Sequence, residues 1–235
     1  MLTNNIIALI ITLALALAWL RLNDFAAHRG WISSYLSRKI IHIGTGPLFV
    51  LCWLLFNGEP AARWLAALVP LAITGQFILV GAGIIKDQAA VQAMSRTGDR
   101  REILRGPLYY GMVFVALTLL YWVNSPIGMI ALMLMCGGDG LADIIGRRYG
   151  KARLPWNAQK SWVGSAAMLL GGLFFAIAVS LPFIYLYYFP VTLSSFIPRV
   201  ALIAVAATLV ESLPIKDLDN LTITITAVLL GEMLF

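Results

Sequence analysis

Long apolar segments dominate this sequence and restrict it to folds that can stand in a lipid bilayer. Eight segments approach the about 20 residues that a helix needs to cross the hydrocarbon core. Their approximate ranges are 4–20, 43–57, 64–85, 107–123, 126–142, 162–182, 196–212 and 219–235. Because lipid offers no hydrogen bonds, each segment must satisfy its own backbone groups and is expected to be helical.

We therefore predict an all-α, polytopic integral membrane protein with about eight transmembrane helices, and residues 1–235 as a single transmembrane domain. Seven or nine spans are the alternatives. The second and fifth segments are short, and the sixth can extend to Phe189.

Charge is scarce and unevenly placed. Only 12% of the residues are charged, against roughly 25% in soluble domains. With eight spans, 15 of the 17 basic residues fall in connections on one side of the membrane. The positive-inside rule makes that side cytoplasmic and places both termini outside. Topology therefore explains the net charge of +6, and we predict no nucleic-acid partner.

Acidic residues and histidines gather on the same side. Nine of the 11 acidic residues, together with His28 and His42, belong there. Topology requires only Lys and Arg, so the acids predict a polar site on the cytoplasmic face. A transporter is the non-enzyme alternative, because intramembrane acids also mark ion pathways. A transporter would place polar residues at mid-span, whereas acids at one face favour an enzyme at the membrane interface.

One charged block, Gly137–Ser165, contains the strongest candidate site. Asp139 and Asp143 are four residues apart and share one face if the fifth helix continues through them. Two like charges there repel each other unless a cation lies between them. Mg²⁺ binds one or two carboxylates together with phosphate oxygens, so the pair predicts a magnesium–nucleotide site. The alternative is a helix-end cap with salt bridges to Arg147 and Arg148.

Candidate phosphate-binding residues follow this acidic pair. The basic candidates are Arg147, Arg148, Lys151, Arg153 and Lys160. Arg binds phosphate through two hydrogen bonds, and Lys supplies a mobile point charge. Ser161 is a suitable N-cap for the sixth helix, whose N-terminus offers free N–H groups to phosphate. Glycines that leave room for a ligand at the backbone are Gly138, Gly140 and Gly164.

Acidic and amide residues near the end of the chain are candidates to complete the site. Glu211 ends the seventh apolar segment and is a possible metal ligand, because intramembrane carboxylates are usually functional. Asp217, Asp219 and Asn220 follow at the same surface. They are candidates for metal or nucleotide binding, with solvated turn residues as the alternative.

The start of the second segment supplies two further candidates. Lys39 and His42 are three residues apart and lie on one helix face. His42 could assist proton transfer, because the ordinary pKa of a histidine side chain lies near neutrality. The alternative is a structural histidine.

Four motifs resemble the CTP-dependent lipid-alcohol kinases, a family that includes phytol kinase, dolichol kinase and a CTP-dependent diacylglycerol kinase. The motifs are RKIIHIGTG, GGDGLADIIGRRYGK, QKSWVGS and VESLPIKDLDNLTI. They cover nearly the whole chain in order and are most similar to phytol kinases. The resemblance implies CTP as phosphoryl donor, Mg²⁺, an integral-membrane fold and a prenyl alcohol acceptor. Dolichol, another prenol and diacylglycerol are alternative acceptors.

On this resemblance, Asp139 and Asp143 are expected to hold Mg²⁺ on the CTP phosphates. Arg147, Arg148, Lys151 and Lys160 would neutralise the charge that develops in phosphoryl transfer. Either His42 or a nearby carboxylate would take the proton of the alcohol.

Other enzyme classes fit the sequence less well. Phosphatidate cytidylyltransferases have a similar glycine, acid and basic block, but their basic C-terminal signature is missing after Glu211. CDP-alcohol phosphotransferases require D-G-x-x-A-R and two further aspartates. Here Asp139-Gly140 is followed by Leu-Ala-Asp143 instead. No G-x-x-x-x-G-K-[ST] occurs, which excludes a P-loop kinase.

Overall fold

Helices make up 77% of the structure, a computed structural model that describes residues 4–95, 97–215 and 218–235. This content confirms the all-α prediction. The α-helices of the described residues are α1 (Asn5–His28), α2 (Ser34–Cys52), α3 (Ala62–Ala82), α4 (Gln88–Met94), α5 (Gly106–Leu120), α6 (Pro126–Met133), α7 (Gly140–Tyr149), α8 (Trp162–Tyr185), α9 (Leu193–Glu211) and α10 (Asp219–Leu234).

Among the described residues, three shorter helical pieces and two strands complete the fold. The 3₁₀ turns Trp53–Leu55 and Arg100–Leu104 extend α2 and precede α5. A π-helical segment, Leu134–Asp139, joins α6 to α7 without a break. The strands β1 (Arg153–Leu154) and β2 (Asn157–Ser161) form an antiparallel hairpin that the sequence did not predict.

Seven helices of the described chain are long and apolar enough to cross a membrane, as expected of a multi-pass membrane protein. They correspond to the first seven predicted segments. The eighth is α10, whose 16 residues fall short of the about 20 residues of a straight crossing.

Two helices extend beyond their predicted ends and thereby position the site. The second begins at Ser34 rather than near residue 43, because the Ser33 side chain caps it by accepting from the Leu36 N–H. The fifth continues through α7 to Tyr149 instead of ending near residue 142. Charged residues that the sequence suggested for connections therefore lie on helices.

The α6–α7 span forms the centre of the molecule. Side chains from Met129 to Cys136 are completely buried, with α8, α10, α2 and α5 packed around them. A Cβ at Gly138 would lie 2.7 Å from the Met168 sulfur, and one at Gly140 would overlap Ile43. These glycines therefore permit close helix packing. Gly138 and Gly140, which the sequence suggested as room for a ligand, are not among the lining residues of either cavity described below.

Candidate active site

Two pairs of charged or polar side chains join α2 to the end of the π-helical segment and to α7. The Lys39 Nζ lies 2.8 Å from the Asp143 Oδ2. One turn further along α2, the His42 Nε2 lies 3.5 Å from the Asp139 Oδ2. The spacing predicted that Lys39 and His42 share one helix face and that Asp139 and Asp143 share another. In the structure these two faces contact each other.

Asp143 is already surrounded by donors. Its Oδ1 accepts from the Arg147 Nε at 2.7 Å. Its Oδ2 accepts from the Tyr35 hydroxyl at 3.0 Å as well as from Lys39. The Arg147 guanidinium also lies 4.8 Å from the centre of the Tyr35 ring. Lys39 and Arg147 therefore compensate the charge of Asp143. The contact with Arg147 is the salt bridge that the alternative interpretation of the acidic pair expected.

His42 is held in one orientation by backbone groups. Its Nε2 lies 3.1 Å from the Met135 carbonyl oxygen. A carbonyl can only accept, so Nε2 carries the hydrogen. Met135 belongs to the π-helical segment, a type of irregularity that is frequent at functional sites. The Tyr110 hydroxyl in turn donates to the His42 carbonyl at 2.7 Å. We name Lys39, His42, Asp139, Asp143 and Arg147 the first ion cluster.

A second ion cluster, defined as Lys160, Glu211 and Asp219, joins β2 to the facing ends of α9 and α10. The Lys160 Nζ contacts the Glu211 Oε1 and lies 3.5 Å from the Asp219 Oδ2. Burial lowers the pKa of the Lys160 ammonium, but the neighbouring carboxylates outweigh burial and raise this pKa above its ordinary value. The other oxygen of Glu211, Oε2, is buried and has no hydrogen-bond partner among the described residues.

The hairpin is fixed to the connection that follows α9. The Asn157 side-chain amide donates to the carbonyls of Ser212 and Leu213 at 3.1 and 3.2 Å. The Trp156 indole donates to the Ser212 hydroxyl at 3.1 Å. Ser161 then caps α8 as predicted, its hydroxyl accepting from the Gly164 N–H at 3.2 Å. These bonds set the position of Lys160 beside Glu211.

A polar cavity of about 980 Å³ lies between the two clusters and under the hairpin. Predicted site residues that line it are Lys39, Asp139, Asp143, Arg147, Lys160, Ser161, Gly164, Glu211 and Asp219. Arg153 also lines it. Arg148 and Lys151 are exposed and are not among the lining residues, and the Arg148 guanidinium lies over the Tyr149 ring at 5.4 Å. Of the other candidates, Asp217 lies outside the described residues.

A second, mainly apolar cavity of about 320 Å³ lies among α1, α2, α3 and α5. Three residues, Lys39, Asp139 and Asp219, line both cavities. His42 and Asn220 line the apolar cavity but are not among the lining residues of the polar one, and the Asn220 amide donates to the Gly106 carbonyl at 3.3 Å. The two cavities thus meet at one ammonium and two carboxylates.

Sequence reasoning missed the residues that hold the site in place. Tyr35 precedes Lys39 by one helical turn, so projecting α2 as a helix would have placed both on one face. The hairpin had only the tight Pro155-Trp156 link as a signal. Nothing in the sequence pairs Lys160 with Glu211, which are 51 residues apart.

Known proteins resemble this chain over most of its length. It is 39% identical over 230 residues to a probable chloroplastic phytol kinase of Triticum aestivum, covering 97% of this chain and 77% of the relative. It is 40% identical over 209 residues to the chloroplastic phytol kinase 1 of Arabidopsis thaliana, covering 88% of this chain and 69% of the relative. It is 41% identical over 218 residues to the chloroplastic farnesol kinase of the same plant, covering 88% of this chain and 68% of the relative. No protein-family model and no solved structure matches the chain.

The membrane-helix fold, the charged site and these similarities define the class of the protein as an integral-membrane lipid-alcohol kinase. Within that class, the chain belongs to the polyprenol kinase family that contains phytol kinase and farnesol kinase. The resemblance inferred from the sequence motifs is confirmed. A kinase requires a phosphoryl donor, and the polar cavity adjoins the apolar one at their shared lining residues.

Proposed function

We propose that this kinase transfers the γ-phosphoryl group of CTP to phytol and releases CDP and phytyl phosphate. The observation that carries the proposal is the meeting of the two cavities at Lys39, Asp139 and Asp219. A polar cavity with basic walls suits a nucleoside triphosphate, and an apolar cavity suits a prenyl chain. The shared residues stand where the terminal phosphate and the alcohol oxygen would approach each other. The phytol kinase relatives support phytol as the acceptor.

The donor would bind in the polar cavity with its phosphates toward the shared residues. Lys160 and Lys39 would neutralise charge on the transferred phosphoryl group, the main task of a protein in this reaction. Arg147 and Arg153 supply further positive charge at the cavity wall. The half-exposed Trp156 indole also lines this cavity, so it offers a planar face to a nucleobase. Selection of CTP over ATP rests on the family resemblance.

The residues between the two clusters fit Mg²⁺. The described residues contain no group of three or more His, Cys, Asp or Glu side chains arranged to hold a metal ion alone. Mg²⁺ needs only one or two carboxylates, because phosphate oxygens and water complete its shell. The buried Glu211 Oε2, which lacks a partner among the described residues, is a suitable ligand. We propose that Glu211 and Asp139 hold Mg²⁺, which would neutralise phosphate charge when bound.

Asp143 has a different role in this proposal. Its oxygens accept from Lys39, Arg147 and Tyr35, so it orients the lysine rather than competing for the metal. His42 is likewise a positioning residue, because its Nε2 hydrogen is directed to the Met135 carbonyl beside Asp139.

In the transfer step, the alcohol oxygen forms a bond to the γ-phosphorus while the bond from that phosphorus to the bridging β–γ oxygen breaks. The departing electron pair stays on CDP. The alcohol proton must leave, and we propose that Asp219 accepts it. This carboxylate lines both cavities and lies next to Asn220 at the mouth of the apolar cavity.

The test is an assay of the purified protein with CTP and a panel of phytol, geranylgeraniol, farnesol, dolichol and diacylglycerol. Label from the γ-phosphate of CTP is expected on phytol, and ATP is expected to be a poor donor. Equal transfer from ATP would refute the choice of CTP. Label from the α-phosphate of CTP on the lipid would instead indicate a cytidylyltransferase.

The active site is proposed to face the cytoplasm. This side carries the basic connections, and both ion clusters lie at the ends of helices that meet there. Because α10 packs back along α9 and brings the Phe235 ring centre within 5.7 Å of that of Phe196, reporter tags at the two termini are expected outside. A tag in the connection at residues 150–152 is expected inside. A cytoplasmic signal from either terminus would contradict this orientation.

A further inference from the structure

The apolar cavity is a long channel that follows the helix axes. On α2 its lining residues recur on one face, from Lys39 through Thr45 and Phe49 to Cys52. At about 1.5 Å per residue, this face spans about 20 Å. The antiparallel connections of α1, α2, α3 and α5 give each helix one end beside the charged residues and one end far from them.

The far end of the channel is closed by apolar and small side chains. The lining residue furthest from the charged end is Thr12 on α1, Cys52 on α2, Val69 on α3 and Phe114 on α5. Each of these four side chains is buried. We name these four residues the channel floor. Nearer the charged end, lining residues such as Trp19, Ile73 and Tyr110 are only half-buried.

An aromatic series stiffens one wall between the two ends. The ring centres of His42 and Tyr110 are 4.6 Å apart, those of Tyr110 and Phe114 are 4.8 Å apart, and those of Phe114 and Phe49 are 5.7 Å apart. Such rings are large and have few rotatable bonds, so this wall does not retreat readily from a longer ligand.

Resting on the proposed function, we infer that the hydrocarbon chain of the alcohol lies along this channel and that the channel floor selects its length. The hydroxyl then lies at Asp139 and Asp219, and the far end of a fully inserted chain contacts the channel floor. A chain that reaches the floor buries all of its apolar surface. A shorter chain buries less, and a longer one cannot insert completely.

Val69 offers a test in both directions. Val69→Phe shortens the channel, and Val69→Ala deepens it. The matched control is Leu68→Phe, because Leu68 neighbours Val69 on α3, is 44% exposed and does not line the channel. For each protein, kcat/KM is measured with farnesol, geranylgeraniol, phytol and a longer polyprenol. The ratio between two alcohols within one preparation does not depend on the fraction of folded enzyme.

Val69→Phe is expected to lower the ratio of phytol to farnesol by about tenfold or more, a change typical of a misfit in an apolar pocket. Val69→Ala is expected to raise the ratio of the longer polyprenol to phytol. The kcat/KM for geranylgeraniol should change in the same way as that for phytol, because the two chains have equal length. Leu68→Phe should keep the wild-type ratios.

Two results would overturn the inference in distinguishable ways. If the wild type phosphorylates phytol and neither Val69 variant changes any ratio, the floor does not measure the chain, although the proposed function stands. If the wild type phosphorylates none of the alcohols, the proposed function fails and the inference with it. Should Val69→Phe fail to fold, Val69→Ala decides alone, because it removes atoms instead of adding them.

Discussion

Both ion clusters combine lysine with carboxylates, but they differ in their balance of charge. In the first, the two permanent cations, Lys39 and Arg147, both pair with Asp143, whereas Asp139 lies 3.5 Å from His42. In the second, the single ammonium of Lys160 pairs with both Glu211 and Asp219. A balanced set of pairs can hold helices together without further help. An excess of buried carboxylate requires another cation, so we assign Asp143 mainly to architecture, and Asp139 and the second cluster mainly to metal and phosphate binding.

The strongest test of this division is Glu211→Gln, which keeps the size of the side chain and removes its charge. If Glu211 holds Mg²⁺, kcat should fall about 100-fold or more, a typical loss for a group that stabilises charge in the transition state. Turnover and its dependence on Mg²⁺ concentration would be measured on purified protein. Glu232→Gln is the matched control, because Glu232 is exposed, accepts from Tyr121 and lies at the far end of α10. Near-normal turnover in Glu211→Gln would make the second cluster structural.

Lys160→Ala should have the next largest effect. It should raise the KM for CTP and also lower kcat, because Lys160 is expected to bind phosphate in both the ground state and the transition state. It should also lower stability, since it leaves the buried Glu211 without its partner. Lys160→Ala combined with Glu211→Gln should therefore recover thermal stability while activity remains low. Recovery of activity in the double variant would contradict a role in phosphate binding.

Asp139→Asn and Asp143→Asn separate the two hypotheses for the acidic pair. A shared metal site predicts equal and large losses of turnover. The contacts of Asp143 with Lys39, Arg147 and Tyr35 predict a smaller loss, about tenfold, together with a loss of about 1–3 kcal/mol in stability for the unpaired donors. Compared with Asp143→Asn, Asp139→Asn should lower turnover more and lower stability less. Equal kinetic losses would restore the original paired-ligand hypothesis.

His42→Gln tests whether the histidine moves a proton or holds a position. The Gln amide can still donate to the Met135 carbonyl, as the His42 Nε2 does, but it has no titratable group. If His42 is a positioning residue, His42→Gln should keep activity within a few fold, while His42→Ala should lose more. An equal, large loss in both variants, with a flattened pH–rate profile, would make His42 the proton acceptor instead.

The amount of structure that the sequence could predict differs between the two clusters. Apolar length predicted the helices, because only helices satisfy the backbone in lipid. Once the segment is a helix, the four-residue spacing of Asp139 and Asp143 predicts that they share one face. The pairing of Lys39 with Asp143 was not predictable, because it depends on how α2 packs against α7. Helix spacing is local, whereas helix packing depends on the whole chain.

The second cluster was harder still to predict. Lys160 lies on a short hairpin whose hydrogen bonds run to Ser212 and Leu213, more than 50 residues away. Such bonds leave no periodic signal in the sequence. Similarly, the glycines near Asp139 predicted space for a ligand, but the same absence of a side chain serves helix packing at Gly138 and Gly140. One residue type has two uses, and only the neighbours decide between them.

The smallest expected effect concerns the two adjacent arginines. Both side chains are exposed, but Arg147 lines the polar cavity and binds Asp143, whereas Arg148 lies outside the cavity over the Tyr149 ring. Arg147→Ala should raise the KM for CTP a few fold, because it removes a positive charge from the cavity wall and releases Asp143. Arg148→Ala is the matched control and should leave KM unchanged, since an exposed charge outside the cavity is screened by solvent. A greater rise in KM for Arg148→Ala than for Arg147→Ala would mean that the nucleotide lies on the outer surface of α7 and not between the two clusters.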